Sequence, residues 1–148
     1  MKNHSKVNEI ANIKPGETID WCDLIVDPSF RDRPFDVETT ERGQIIMTPV
    51  NDNHAFFAGE IAFFLRKHRY EGIVQVETPL TTRKGTKSPD VTWCSRSVHE
   101  QRKNTVQSPI APEICVEVLS PGNSPEEIDE KIALYFEQGA DEVWICDL

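Results

Sequence analysis

Missing from this sequence is any apolar run approaching the ~20 residues of a membrane span, and Met1 to Ala11 is polar, without the apolar stretch and cleavage site of a signal peptide. The compartment these absences predict is the cytoplasm, with no membrane partner. Cysteine is sparse as well: Cys22, Cys94, Cys115 and Cys146 are scattered, form no C-x-x-C pair and have no histidine at zinc-ligand intervals. That excludes a zinc site or a thiol-based enzyme. Cys115 and Cys146 stand inside apolar runs and read as small core residues. No internal repeat or low-complexity segment occurs. At 148 residues the chain has the size of one domain, able to bury roughly two-thirds of the surface its unfolded form exposes.

Base is lacking in one place above all. Residues 113–148 hold ten acids and a single base, Lys131, whereas residues 1–112 hold fifteen of each, so the net charge of −9 belongs to the C-terminal quarter. An acidic balance argues against nucleic acid, because phosphate binding rests on lysine and arginine. The neutral part nevertheless carries local basic surfaces. Arg83, Lys84, Lys87, Arg96, Arg102 and Lys103 stand among only two acids, Asp90 and Glu100, in 83–103. Such a group is either a track for backbone phosphates or an ordinary solvated surface.

Residues 1–37, with Pro15, Gly16, Pro28 and Pro34 among polar residues, read as an irregular arm. Within it, Trp21–Val26 reads as a short strand or a half-turn. From residue 38 to 148 the pattern is regular. Gln44–Met47, Ile73–Glu77, Val91–Cys94, Ile114–Leu119 and Glu142–Cys146 predict strands, and Phe57, Ile61, Phe64 and Leu65 recur at helical spacing in Asn51–Arg69. A second helix is expected from Pro125 to about Gln138. Ser124 caps it, Pro125 takes the first helical position, Glu127 completes a capping box, and Gly139 follows the end. Strand, helix and strand over 114–146 then form a right-handed βαβ unit, which makes the domain α/β.

Three residues stand out chemically. Alternation along Ile114–Leu119 places Glu117 on one face with Cys115 and Leu119, and an ionised carboxylate in an apolar strand is costly unless a metal, a charge or several donors compensate it. The plainer alternative is a strand-end glutamate reaching solvent. Asp90 follows Ser88-Pro89 and enters the next strand directly, as a functional group or as turn chemistry. Lys131 falls within the apolar arc of its helix, between Tyr135 and Leu134 at 100° per residue, and so points toward the domain. Its alternative is a surface pair with Glu127, with its stem snorkelling along the apolar edge.

The run Ser88-Pro89-Asp90-Val91, the run Pro112-Glu113-Ile114-Cys115-Val116-Glu117-Val118-Leu119-Ser120-Pro121, and Lys131 with Tyr135, Gly139-Ala140 and Glu142-Val143-Trp144 together carry a likeness. They resemble the Uma-type restriction endonuclease family of the PD-(D/E)XK nuclease superfamily. Gly43–Pro49 and His54 extend the resemblance, which covers about Glu38 to the end.

It implies a restriction-endonuclease-like α/β core, a central mixed four-stranded sheet flanked by helices. The implied function is a divalent-metal-dependent endonuclease hydrolysing DNA phosphodiester bonds, with Mg²⁺ or Mn²⁺ bound by Asp90 and Glu117. The lysine expected two residues after the glutamate is Leu119 here, and the resemblance places it instead at Lys131. Glu38 matches an acidic position before the first strand, with Glu60 as the alternative first-helix acid, and His54 matches a helix-start histidine. Family members continue into further strands beyond the position of Leu148, so an uncovered edge strand is expected, with a homodimer as its protection. The competing function is a catalytically silent interaction or regulatory protein that retains the nuclease fold.

Overall fold

The structure, a computed structural model, describes residues 20–28, 35–49 and 51–147. In chain order these form α1 (Trp21–Leu24), β1 (Phe35–Thr39), β2 (Ile45–Pro49), α2 (Asp52–His68), β3 (Ile73–Val76), β4 (Leu80–Thr82), β5 (Gly85–Lys87), β6 (Val91–Cys94), α3 (Arg96–Arg102), β7 (Ile114–Val118), α4 (Pro125–Glu137) and β8 (Glu142–Cys146).

A mixed sheet ordered β3-β6-β7-β8 organises the domain. β6 runs antiparallel to β3 and to β7, while β7 and β8 are parallel neighbours joined through α4, as the βαβ pattern requires. All five residues of β7 are buried, which is why this strand reads as a nearly continuous apolar run. Its alternation divides the core. Ile114 and Val116 meet Leu65 of α2 on one face, together with Val91, Ala58, Ile61 and Trp144. Cys115 meets Tyr135 of α4 on the other, together with Leu80, Ala111 and Ala140. Glu117 shares that second face.

The helix ends follow the sequence signals. Ser124 accepts a hydrogen bond from the Glu127 amide at 3.1 Å, and Gly139 takes the left-handed conformation after α4 with φ 100°. The Glu127 carboxylate does not complete the box. It instead accepts from Asn123 Nδ2 at 3.4 Å. Asn51 caps α2 by accepting from the His54 amide at 2.9 Å, which fixes where the first turn, and so the His54 side chain, begins.

β2 covers the expected Gln44–Met47 strand, but its hairpin partner β1, the β4–β5 hairpin and α3 are absent from the sequence expectation. Strands of three residues are too short to show alternation. The hairpins clamp together at Gly85. Its φ is +94°, and a Cβ there would stand 2.3 Å from the Thr39 carbonyl oxygen, so a side chain is excluded twice over. Beside it the Thr86 amide donates to Thr39 Oγ1 at 2.9 Å. This clamp fixes β1, and hence Glu38, against the β4–β5 hairpin.

β1 begins at Phe35, inside the segment read as an arm, and the Trp21–Val26 run forms a single helical turn capped by Asp20. Trp21 and Leu24 are buried, so this turn contributes to the core. Pro15, Gly16 and Pro34 lie outside the described residues. Cys94 and Cys115 are buried free thiols, and Cys146 is half-buried. No helix among the described residues is long and apolar enough to cross a membrane.

Candidate active site

Asp90 and Glu117 come together because β6 and β7 are hydrogen-bonded neighbours. Asp90, just before β6, accepts from the Val118 amide at 2.7 Å through Oδ2, which fixes it beside the strand end that carries Glu117. The same oxygen lies 3.2 Å from His54 Nε2, delivered by the first turn of α2. Asp90 Oδ1 accepts from no described residue.

Glu117 is buried, and α4 supplies both of its side-chain partners. Lys131 Nζ donates to Oε2 at 3.1 Å, and the Tyr135 hydroxyl donates to Oε1 in a short hydrogen bond. One helical turn separates Lys131 from Tyr135, so the i,i+4 geometry brings both onto one carboxylate. Lys131 Nζ also lies 3.0 Å from Glu38 Oε1. Glu38 in turn accepts from the Ser88 amide at 3.0 Å and lies 3.7 Å from Lys87 Nζ. The pair of Lys131 with Glu127, the alternative left open by the sequence, does not occur: Lys131 is buried between two other carboxylates.

Burial dominates the electrostatics. It pushes the Glu117 carboxyl up to about 7 in spite of Lys131, with Asp90 adding to the rise. Asp90 is raised for the same reason, although the Val118 amide and His54 oppose the shift. Burial acting alone would lower Lys131, but Glu117 and Glu38 more than offset it and hold the ammonium above its ordinary value. The Tyr135 hydroxyl is also raised by burial and by Glu117, and it stays a protonated donor.

Asp90, Glu117, Lys131, Glu38 and His54 all line one cavity of about 270 Å³, with Asp36 and Glu77 on the same wall. Glu77 has an unusual φ of 47°, and its carboxyl is raised by burial and by a hydrogen bond with Asp36. Glu60 is exposed on α2 and does not line this cavity, so of the two acids considered for the early position Glu38 is the one at the site.

The six basic residues of 83–103 do not form one surface. Lys84 and Lys87 line an open groove of about 830 Å³ that runs from the cavity past Glu38 and Lys131, joined by Arg42, which sequence reasoning missed. Lys84 is paired with Glu41 at 2.8 Å, and Arg83 is paired with Glu137 at 2.9 Å. Arg96, Arg102 and Lys103 lie on or beside α3 instead and do not line the groove. Arg102 is buried, and Lys103 is paired with Glu100.

With this geometry in hand, comparison with known proteins is decisive. The family model Uma2, described as "putative restriction endonuclease", matches residues 28–148. The chain belongs to the Uma2 family. A solved structure of a "putative nuclease belonging to DUF820" from Anabaena variabilis superposes with a TM-score of 0.61 at 22% identity, covering 75% of this chain. At that identity the likeness is one of fold, and this chain spans 65% of that protein's length. No curated protein matches. The Uma2 match and the mixed sheet flanked by helices agree with the resemblance read from Asp90, Glu117 and Lys131.

Nucleases of the restriction-endonuclease-like class use divalent metals, and the donors here suit such an ion. Glu117, buried, and Asp90, half-buried, offer hard oxygens, both are raised chiefly by burial in spite of their partners, and Asp90 Oδ1 faces no described donor. Among the described residues no group of three His, Cys, Asp or Glu gathers as a ready ligand set, so Asp90 and Glu117 would leave the other positions to water and substrate oxygens. Tyr135, whose hydroxyl donates to Glu117, is the site contact the sequence signals least. Tyr135→Phe removes the donor to Glu117 Oε1, and calorimetric titration with Mn²⁺ is expected to show a metal affinity reduced about 10- to 100-fold, the usual effect of losing a group that orients a metal ligand. Unchanged affinity would make Tyr135 a packing residue only.

Proposed function

We propose that this protein is a divalent-metal-dependent endonuclease that hydrolyses DNA phosphodiester bonds, with Asp90 and Glu117 holding Mg²⁺ or Mn²⁺. The observation that supports this most is Lys131, a buried lysine carried by α4 into the same cavity as Asp90 and Glu117, where Leu119 replaces the strand lysine.

Each side chain then has a defined task. A bound divalent ion supplies charge neutralisation at the phosphate and a more acidic water. Asp90 is oriented by the Val118 amide and by His54 through Oδ2, leaving Oδ1 directed to the ion. Glu117 is held by Tyr135 and Lys131. An ammonium has three donors, and Glu117 and Glu38 account for two, which leaves one N–H of Lys131 for an oxygen of the scissile phosphate. Glu38 is a positioning residue: it anchors Lys131 and is itself fixed by the Ser88 amide and Lys87. Lys84, Lys87 and Arg42 along the groove are the groups placed to follow a backbone.

The silent interaction protein is favoured by one observation, the neutralisation of Lys84, Arg83 and Lys103 by acidic neighbours. The two readings separate on supercoiled and relaxed DNA incubated with Mg²⁺ or Mn²⁺ and with chelator. An endonuclease converts plasmid to nicked and linear forms only with metal. Plasmid left intact under all conditions by folded protein would support the silent reading.

A further inference from the structure

A second cavity, of about 310 Å³, lies beside α3 and is lined by Gln75, Thr78, His99, Arg102, Lys103 and Gln107, among others. Pro79 lines both this cavity and the active-site cavity, so the Thr78–Pro79 segment stands between them. Arg102, the last residue of α3, is only 7% exposed. Its Nε and Nη1 are buried and donate to no acceptor among the described residues, and the same holds for the buried Nδ1 of His99.

A guanidinium cannot shed its proton to escape burial, and a buried cation without a counter-charge is strongly unfavourable. Ordinarily a carboxylate supplies that counter-charge. This chain carries 25 acids, yet none lines the cavity. Burial pulls the guanidinium pKa down, offset only in part by the thiols of Cys94 and Cys115, with no carboxylate contributing. The neighbouring Lys103 pairs with Glu100, but that pair is exposed and Glu100 does not border the cavity. The carbonyl end of a seven-residue helix favours positive charge, but none of its carbonyls accepts from Nε or Nη1. The cavity is thus a polar space lined by a buried guanidinium without a counter-charge, a buried imidazole nitrogen without a partner among the described residues, and no carboxylate.

We propose that this cavity is a binding site for an oxyanion of the phosphate class, with the Arg102 guanidinium as principal donor, His99 Nδ1 beside it and Lys103 contributing charge. The planar fork of arginine matches two oxygens of such an anion. The anion is either free phosphate or a phosphate of a nucleic-acid backbone. The site is separate from the metal cavity and does not depend on the nuclease reading.

The test is calorimetric titration of the full chain with inorganic phosphate, in chelator and at ionic strength held constant with chloride. Wild type is expected to show saturable one-site binding, weakened about 10- to 100-fold in Arg102→Gln, the usual effect of losing charge-assisted hydrogen bonds. His99→Ala and Lys103→Ala alter less buried positions and carry the test if Arg102→Gln does not fold. Each is expected to weaken binding several-fold. A short DNA duplex, also in chelator, distinguishes the sources. For a backbone phosphate, inorganic phosphate competes with the duplex and the same variants weaken duplex binding; for a free anion, duplex affinity is unchanged. Absence of saturable phosphate binding in wild type, or equal affinity in wild type and every folded variant, would overturn the site.

Discussion

Replacing Lys131 with methionine is expected to lower the single-turnover rate of DNA cleavage by about 10²- to 10³-fold, the usual consequence of removing one donor aimed at developing charge. The substitution keeps much of the apolar stem and removes the ammonium that lies 3.1 Å from Glu117 and 3.0 Å from Glu38. On sequence grounds alone, replacing a lysine within the apolar arc leaves the packing stripe untouched. The structure changes that expectation. Without Lys131, Glu117 keeps only the Tyr135 hydroxyl and Glu38 only the Ser88 amide and the more distant Lys87, and breaking a buried ion pair from one side costs about 3–5 kcal/mol. The metal-free variant therefore melts at a lower temperature, and added Mn²⁺ recovers part of the loss because the ion replaces some of the missing positive charge. Lys131→Arg is expected to leave most of the rate defect, since a planar fork does not fit the place of a compact ammonium held by two carboxylates. A full-rate Lys131→Met at matched folded concentration would remove Lys131 from the chemistry.

The second large effect belongs to Glu117. Glu117→Gln keeps the shape and an oxygen for Tyr135, but an amide is a poor ligand for a hard cation, so calorimetric Mn²⁺ binding and cleavage are both expected to fall below detection. The same variant has a pH signature in the absence of metal. The Glu117 carboxyl is raised from its ordinary 4.5 to about 7, chiefly by burial. An acid whose folded pKa lies above its unfolded value binds more protons when folded, so its contribution lowers stability as pH rises between the two values. For Glu117 the full effect is on the order of 3 kcal/mol, lost from about pH 4.5 to about pH 7. Urea unfolding of metal-free wild type at pH 5 and pH 8 is expected to show this decline, and Glu117→Gln is expected to show much less of it. Metal affinity runs the other way, rising through pH 7 as Glu117 ionises. Equal pH dependence of stability in wild type and Glu117→Gln would mean that Glu117 titrates as an ordinary carboxyl.

The elements that the sequence revealed are those long or buried enough to impose a period. β7 is apolar because α2 and α4 cover both of its faces, and α4 carries its own cap, proline and terminal glycine. Lys131 was legible because a lone base on an apolar arc must be compensated inside the fold, and Glu38 and Glu117 compensate it. Glu38 itself enters only through family resemblance, since Phe35–Thr39 of β1 carries just two apolar residues and β4 and β5 are three residues long, so none leaves a clear periodic trace. Tyr135 looked like one more core aromatic, and its hydroxyl acquires a role only when the α4 register against β7 is known. The basic group of 83–103 was misleading as a unit, because proximity in sequence does not survive the turn from β5 through β6 into α3. Its Arg102 is buried beside a different cavity from the one that Lys84 and Lys87 approach.

A plasmid-cleavage time course with Mg²⁺ or Mn²⁺ tests most directly whether Asp90, Glu117 and Lys131 form a phosphodiesterase centre. Wild type, Glu117→Gln and Lys131→Met are compared at matched folded concentration. A metal-dependent endonuclease built on these residues cleaves as wild type, is inactive as Glu117→Gln, and is slowed by about 10²-fold or more as Lys131→Met. Equal cleavage by all three would trace the activity to another protein, and no cleavage by folded, metal-supplied wild type would contradict the enzyme outright.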